Sequence, residues 1–158
     1  MRIIGIDPGS HRIGFSILER DAKLRSKSRI VEYGTIEIPP GTKSPENLQI
    51  LRDRLLQILQ NHSPQIACVE DIFYAKNMKT AKTVTESRGV ILLLLADQGL
   101  KILQPSATQI KKGVTGSGSA NKKDISRALQ IIFALDSIDG LDDSWDAIAA
   151  GFVGLSMC

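Results

Sequence analysis

The sequence has few cysteines, and it has no pairs of cysteine or histidine at the short spacings that bind metals. Its two cysteines, Cys68 and Cys158, are far apart in 158 residues and match no metal-binding spacing. This excludes a disulfide-rich secreted scaffold, argues against a zinc site and favours a reducing compartment. We expect Cys68 in the core and Cys158 at a frayed end.

Long apolar runs are also missing. No run approaches the ~18 residues that a transmembrane helix needs, and the first residues do not combine a basic segment, an apolar stretch and a cleavage site. We therefore expect a cytoplasmic protein with no membrane partner. Because 42% of the residues are apolar and 23% are charged, one globular domain is predicted over residues 1–158.

Positive charge is concentrated in the middle of the sequence. Residues 76–127 contain ten Lys and Arg but three Asp and Glu, a net charge of +7, so the remainder carries −4 in a chain of net charge +3. Such a segment is often only a solvated surface. It is also typical of a surface that binds a polyanion.

Five short segments are predicted to be strands, and the first three are rich in β-branched residues. They are "RIIGI", "IGFSILE", "RIVEYGTIEI", "QIACVE" and "KILQ". Turn signals separate the first three, which indicates antiparallel neighbours. The fourth is almost wholly apolar, as in a strand that is buried on both faces.

Helical patterns alternate with the later strands. A helix is expected after Ser44-Pro45, with one apolar stripe of Leu48, Leu51, Leu55 and Leu59. Residues 78–98, the segment capped by Asn121 and "DSWDAIAAGFVGL" are the other predicted helices, whereas "PSATQIKKGVTGSGSANKKD" is expected to be a loop too polar to pack. The fold class is therefore α/β, with a five-stranded mixed sheet and helices on both faces.

Two of the predicted strands end in a carboxylate. Asp7 follows the first strand and Glu70 follows the fourth. If these strands are parallel neighbours, both side chains emerge at the edge where open α/β sheets bind ligands. The alternative for Asp7 is a turn residue before Pro8-Gly9. Nothing local explains Glu70.

Two further acids begin the last predicted helix. Asp143 and Asp146 are three residues apart and share a helix face. Helix capping is the alternative for Asp143, and complementing the helix dipole is the alternative for Asp146. Four carboxylates in one place repel each other unless a cation lies between them, and oxygen ligands of this kind suit Mg²⁺ or Mn²⁺. Such ions support phosphoryl transfer.

Four motifs together resemble a known family. "GIDPGS", "VEDIFYAKN", "KKGVTGSGSANK" and "DSWDAIA" occur in the order and approximate spacing of RuvC, the bacterial Holliday junction resolvases. "GIDPG" alone is weak, since actin-like and hexokinase-like ATPases place similar residues after a first strand. "AKN" after the glutamate and the D-x-x-D-A ending make the set specific.

The resemblance implies an RNase H-like fold and a homodimer that nicks two like-polarity strands of a four-way DNA junction, leaving 5'-phosphate and 3'-hydroxyl ends. It implies a branch-migration helicase complex as a partner. The cofactor would be Mg²⁺, two ions per active site, with Mn²⁺ able to substitute. The four acids that match the family's metal-binding and catalytic residues are Asp7, Glu70, Asp143 and Asp146.

The resemblance also implies contacts to DNA. Phe73 matches an aromatic residue that stacks on an unpaired base, although its position alone favours the core. Lys111 and Lys122 match lysines beside the phosphates, with ordinary solvation as the alternative. Backbone contacts without base readout are predicted for Lys76, Lys79 and Lys82.

Three other functions remain open at this point. A small actin-like ATPase would need a second lobe, a non-catalytic junction-binding protein would tolerate loss of the acids, and an RNA-processing RNase H-like nuclease would prefer RNA. His11 is interpreted as a surface turn residue. The apolar segment "VILLLLA" is a candidate dimer surface, with burial inside one chain as the alternative.

Overall fold

The isoleucine-rich first strand lies at the centre of a five-stranded sheet. The structure, a computed structural model, describes residues 1–21, 28–71, 78–135 and 142–158, without the side chains of residues 78–80 and 142. The strands are β1 (Arg2–Asp7), β2 (Arg12–Arg20), β3 (Ser28–Glu37), β4 (Ile66–Val69) and β5 (Lys101–Leu103). Their order in the sheet is β3-β2-β1-β4-β5.

The sheet is mixed, as the sequence predicts. β1 pairs antiparallel with β2, which pairs antiparallel with β3, so the first three strands form a meander. On its other side β1 pairs parallel with β4, and β4 pairs parallel with β5. The expected parallel neighbours β1 and β4 are therefore confirmed.

Helices cover both faces of the sheet. They are α1 (Glu46–His62), α2 (Met78–Asp97), α3 (Ala107–Thr115), α4 (Lys122–Phe133) and α5 (Asp142–Ser156). Successive residues of a strand point to opposite faces, so Ile4 and Ile6 of β1 join the apolar core under α1 and α2, whereas Ile3 joins the core under α3, α4 and α5. Each described helix is too short or too polar to cross a membrane.

The apolar stripes of the first two helices are largely where the sequence places them. Leu51, Leu55 and Leu59 of α1 are buried in the core. In "VILLLLA" of α2, Ile91 and Leu95 are fully buried, but Leu93 is 64% exposed. That segment is therefore mainly a core element of its own chain, with one leucine left on the surface.

The prediction of a polar loop after β5, over residues 105–124, is wrong for residues 107–115, which form α3. Ser106 and Gln109 form a capping box at its start, which satisfies backbone donors that would otherwise lack partners. Ile110 and Val114 are buried one turn apart. The helix ends at Gly116, whose positive φ of 82° favours glycine. Lys111 therefore lies on a helix.

The start of α4 agrees with the sequence. The Asn121 side chain accepts a hydrogen bond from the backbone N–H of Asp124, and the Asp124 side chain accepts one from the backbone N–H of Asn121. This reciprocal cap fixes where the helix begins. Cys68 is buried and Cys158 is exposed, as expected.

α5 approaches the sheet so closely that glycines are required at the contact. A Cβ on Gly5 of β1 would lie 2.2 Å from the carbonyl oxygen of Ala147, and a Cβ on Gly14 of β2 would lie 2.0 Å from the carbonyl oxygen of Asp143. Gly151 of α5 faces the same contact, because its Cβ would lie 2.9 Å from Leu18. The helix backbone therefore rests almost directly on the two strands.

A buried hydrogen bond fixes the position of α5 along this contact. The Ser16 hydroxyl of β2, which is fully buried, donates to the carbonyl oxygen of Ala147 over 2.7 Å. Loss of a buried hydrogen bond leaves a polar group without a partner, which costs about 1–3 kcal/mol. Ser16 therefore favours one register of the helix on the sheet.

The Gly14→Ala variant should be destabilised by about 2–3 kcal/mol, because the added methyl group meets backbone that can move only with α5. Urea unfolding measures the change. Gly89→Ala is the matched control: Gly89 lies inside α2 with no atom within 4 Å of its added Cβ, so this variant should gain about 0.5–1 kcal/mol. Equal stabilities of the two variants would contradict the close contact.

Candidate active site

Asp7 and Glu70 lie at the carboxyl ends of two neighbouring parallel strands. Ile6 of β1 is in register with Val69 of β4, and the backbone N–H of Glu70 donates to the carbonyl oxygen of Ile6 over 3.1 Å. The residues that follow this pair therefore leave the sheet at the same edge. Both side chains are half-buried.

α5 brings the other two acids to the same edge. Asp143 is its second residue, and its carbonyl oxygen faces Gly14, which pairs with Asp7 across β1 and β2. Asp146 lies three residues further on, on the same side of the helix. The glycine contact therefore determines where both carboxylates stand relative to Asp7.

The ionisation of Asp7 shows that the four carboxylates share one electrostatic environment. Burial is the largest cause that raises the pKa of Asp7, from 3.8 to about 8. Repulsion adds to this in the order Glu70, Asp146 and Asp143, and Lys122 opposes it. Charges must be close, or share a poorly solvated site, to act on each other in this way.

Glu70 experiences the same environment. Burial first and Asp146 second raise its pKa, while Lys111 and Lys122 lower it. The two lysines therefore supply positive charge next to the acids. Lys111 is half-buried on α3, and Lys122 is the first residue of α4.

Lys122 also contacts the acid cluster directly. Its ammonium lies 3.5 Å from a carboxylate oxygen of Asp146, with the lysine side chain 66% exposed and the aspartate 25% exposed. A cation in the first turn of a helix is disfavoured by the helix dipole, so this ion pair offsets an unfavourable position. The pair lies near the surface, where a lysine can exchange partners.

The four acids lie near the same edge of the sheet, but their side chains are not arranged as a complete set of metal ligands. Within the part of the chain that the structure describes, no three His, Cys, Asp or Glu side chains lie close enough together to hold a metal ion. Asp142 is the first residue of α5, and its side chain is outside the description. The role of the four acids in holding a metal stays a prediction.

Three of the predicted DNA-binding residues cannot be placed. Phe73 and Lys76 lie outside the described residues, as does the side chain of Lys79. Lys82 is 80% exposed on α2, with its ammonium 3.8 Å from a carboxylate oxygen of Glu86 one turn away. Contacts of these residues to DNA stay predictions.

The site includes features that the sequence reasoning missed. An open cavity of about 660 Å³ extends from Asp143 along Gly9, His11 and Arg12, and a second cavity of about 520 Å³ extends from Asp146 along α4. Asp143 and Asp146 therefore lie between two open cavities, an arrangement that can accommodate an extended substrate. His11 is exposed, as expected, and its Nδ1 is 3.1 Å from the Ser10 hydroxyl.

These features define an RNase H-like fold with carboxylates at the carboxyl ends of the first and fourth strands and on the last helix. Residues 3–153 match the family model described as "Crossover junction endodeoxyribonuclease RuvC". The chain belongs to the RuvC family, and it is an endonuclease of a metal-dependent family. The predicted family and fold class are thereby confirmed.

Two relatives illustrate the similarity. The RuvC of Fusobacterium nucleatum subsp. nucleatum is 38% identical over 94% of this chain and 77% of its own length. The RuvC of Chloroflexus aggregans is 36% identical over 94% of this chain and 89% of its own length. The structure titled "T. thermophilus RuvC in complex with Holliday junction substrate" superposes with a TM-score of 0.87 at 23% identity, over 97% of this chain and 92% of that one, and supports the fold.

The raised pKa of Asp7 predicts that Asp7→Asn stabilises the metal-free protein at high pH. Folding favours the protonated acid, so the stability that Asp7 contributes is complete below about pH 4 and is lost as the pH rises through about 8. Asparagine stays neutral. In EDTA at pH 9 the variant should exceed the wild type by at least about 1 kcal/mol, and the gain should shrink towards pH 5.

Urea unfolding between pH 5 and 9 measures this difference. Asp53→Asn is the matched control, because it removes an exposed carboxylate on α1. A difference between Asp7→Asn and wild type that stays constant with pH would contradict the electrostatic coupling of the four acids.

Proposed function

We propose that this chain resolves four-way DNA junctions by nicking two strands of like polarity, leaving 5'-phosphate and 3'-hydroxyl ends. Membership of the crossover junction endodeoxyribonuclease family supports the reaction. The observation that carries the assignment of the site is geometric: Asp7 and Glu70 lie at the carboxyl ends of two paired parallel strands, and the close contact of α5 with Gly14 brings Asp143 and Asp146 to the same edge. The raised pKa of Asp7 agrees with this placement. Four carboxylates near one edge of the sheet repel each other, and a bound cation relieves that repulsion.

The donor set fits Mg²⁺. Carboxylate oxygens are the ligands that this ion takes in phosphoryl-transfer sites, and the described residues offer no competing cysteine or histidine set. We assign Asp7, Glu70, Asp143 and Asp146 as the residues that would hold two Mg²⁺ ions, with Mn²⁺ able to substitute. When bound, the ions would lower the pKa of the attacking water and stabilise the leaving 3'-oxygen.

The chain's own cations bind the substrate. Lys111 and Lys122 lie close enough to lower the pKa of Glu70, so they also attract a phosphodiester that enters the site. Lys122 is paired with Asp146 in the free protein, and a phosphate oxygen can take over its ammonium. This exchange removes the Lys122 ammonium from the Asp146 carboxylate, one of the assigned metal ligands.

Further DNA contacts follow from the basic segment. We assign Lys76, Lys79 and Lys82 to the DNA backbone and Phe73 to a base at the crossover, on the resemblance to the family. Contacts to phosphates fix position without reading sequence. The whole chain, residues 1–158, would act as one domain, because one sheet carries both apolar cores. It would act in the cytoplasm.

A homodimer would present two such sites to the junction. A two-fold axis in the protein matches the approximate two-fold symmetry of a four-way junction, and it allows paired nicks. Leu93, exposed on α2 next to the partly buried Leu92 and the buried Leu94, makes this helix a candidate for the interface. A branch-migration helicase complex is the expected further partner, on the resemblance to the family.

The Asp7→Asn variant should bind a synthetic four-way junction with the wild-type affinity but lose nicking by at least about 100-fold, because it removes one ligand from the metal site. Gel assays with and without Mg²⁺ would map both nicks, and labelled junctions would report binding. Mg²⁺ should also raise the melting temperature of the wild type but not that of the variant.

Substrate controls separate the remaining functions. Nicking of linear duplex or RNA in preference to the junction would reject the junction-resolving function in favour of another RNase H-like nuclease. Nicking that Asp7→Asn retains would reject the assigned acids. Junction binding by a wild-type protein that never nicks would identify a non-catalytic binding protein.

A further inference from the structure

An open cavity adjoins the acid cluster on the side of α4. We call it the α4–α5 cleft; its lining includes Lys122, Lys123, Arg127, Trp145 and Asp146. Its volume of about 520 Å³ lies within the ~300–1,000 Å³ that is typical of ligand-binding clefts. Asp146, one of the four acids, is therefore also part of a wall that can contact the substrate.

The charges that line the α4–α5 cleft favour a polyanion. Three cationic side chains and one carboxylate contribute to it. Lys123 and Arg127 are both exposed and lie four residues apart on one side of α4. Like charges at this spacing destabilise a helix, whereas an arriving phosphate relieves the repulsion.

Trp145 gives the cleft an aromatic surface. It is half-buried: part of the side chain packs against the core under α5, and part of it lines the cleft. In the chain it immediately precedes Asp146. An aromatic ring beside cations is the combination that binds a single nucleic acid strand, because the ring contacts a base while the cations bind the phosphates.

We propose that the α4–α5 cleft binds a nucleotide next to the cleaved phosphate, with the indole of Trp145 against its base and with Lys123 and Arg127 on the adjoining phosphates. The inference rests on the proposed function, because it takes the cleaved phosphate to lie at the acids. Trp145 thereby positions the strand over Asp146, and it makes cleavage depend on the base that occupies the cleft.

Tryptophan fluorescence tests the proposal directly, because Trp145 is the only tryptophan in the chain. The full-length Asp7→Asn variant is titrated with intact four-way junctions in Mg²⁺, and binding is followed separately through labelled DNA. The emission of Trp145 should be quenched on binding. Quenching should disappear with junctions that lack the base at one nucleotide flanking the cleavage position. Unchanged emission on saturated protein would overturn the proposal.

Two substitutions distinguish base contact from mere packing. Trp145→Leu keeps an apolar side chain but no ring, so it should weaken binding of intact junctions about tenfold and leave binding of the abasic junction nearly unchanged. Trp145→Phe should restore most of the affinity. Equal losses on both junctions would assign Trp145 a purely structural role and reject the proposal.

A charge substitution provides the matched control. Arg127→Gln should weaken junction binding about threefold and reduce its salt dependence. Arg54→Gln removes an exposed arginine from α1, on the opposite face of the sheet, and should change neither. Wild-type nicking is measured in parallel: normal nicking without quenching rejects only the cleft, whereas absent nicking rejects the proposed function.

Discussion

The close contact between the α5 backbone and the two central antiparallel strands determines the rest of the site. It exists because Gly5 and Gly14 carry no side chain where Ala147 and Asp143 approach, and Ser16 fixes the register through its buried hydrogen bond. A larger residue would hold the helix away from the sheet. The carboxylates of α5 would then lie further from those at the strand ends.

This contact brings carboxylates that repel each other to the same edge of the sheet. Carboxylates from β1, from the residue after β4 and from α5 meet in a partly buried region, and burial together with their repulsion raises the pKa of Asp7 to about 8. The positive charges of Lys111 and Lys122 offset part of this repulsion, because they lower the pKa of Glu70. The repulsion that lowers the stability of the metal-free protein therefore favours the binding of divalent cations, so metal binding should also stabilise the fold.

The sequence predicts much of this, because its strongest signals are local. The all-apolar run before Glu70 indicates a buried parallel strand, and the Asn121 cap is a short-range pattern. The sequence predicts a loop in place of α3, because the many polar residues there outweigh the spacing of Ile110 and Val114 and the Ser106 cap. A Ser-x-x-Gln pattern could have revealed it.

The glycine contact and the α4–α5 cleft could not be predicted in the same way. Ser16 and Ala147 are 131 residues apart, and glycine within a strand indicates a close approach without naming the partner. The pairing of Lys122 with Asp146 likewise depends on how α4 packs against α5. The convergence of the acids was predictable in outline, whereas their ionisation depends on burial in three dimensions.

Calorimetric titration of Mg²⁺ at pH 7, in buffers of different ionisation enthalpy, tests the central claim most directly. Because the pKa of Asp7 is about 8 in the metal-free protein, binding should release about one proton from the wild type, whereas Asp7→Asn, which lacks one ligand, should show no comparable Mg²⁺ binding. Mg²⁺ binding by the wild type without proton release would contradict the claim that the four acids form one coupled metal site.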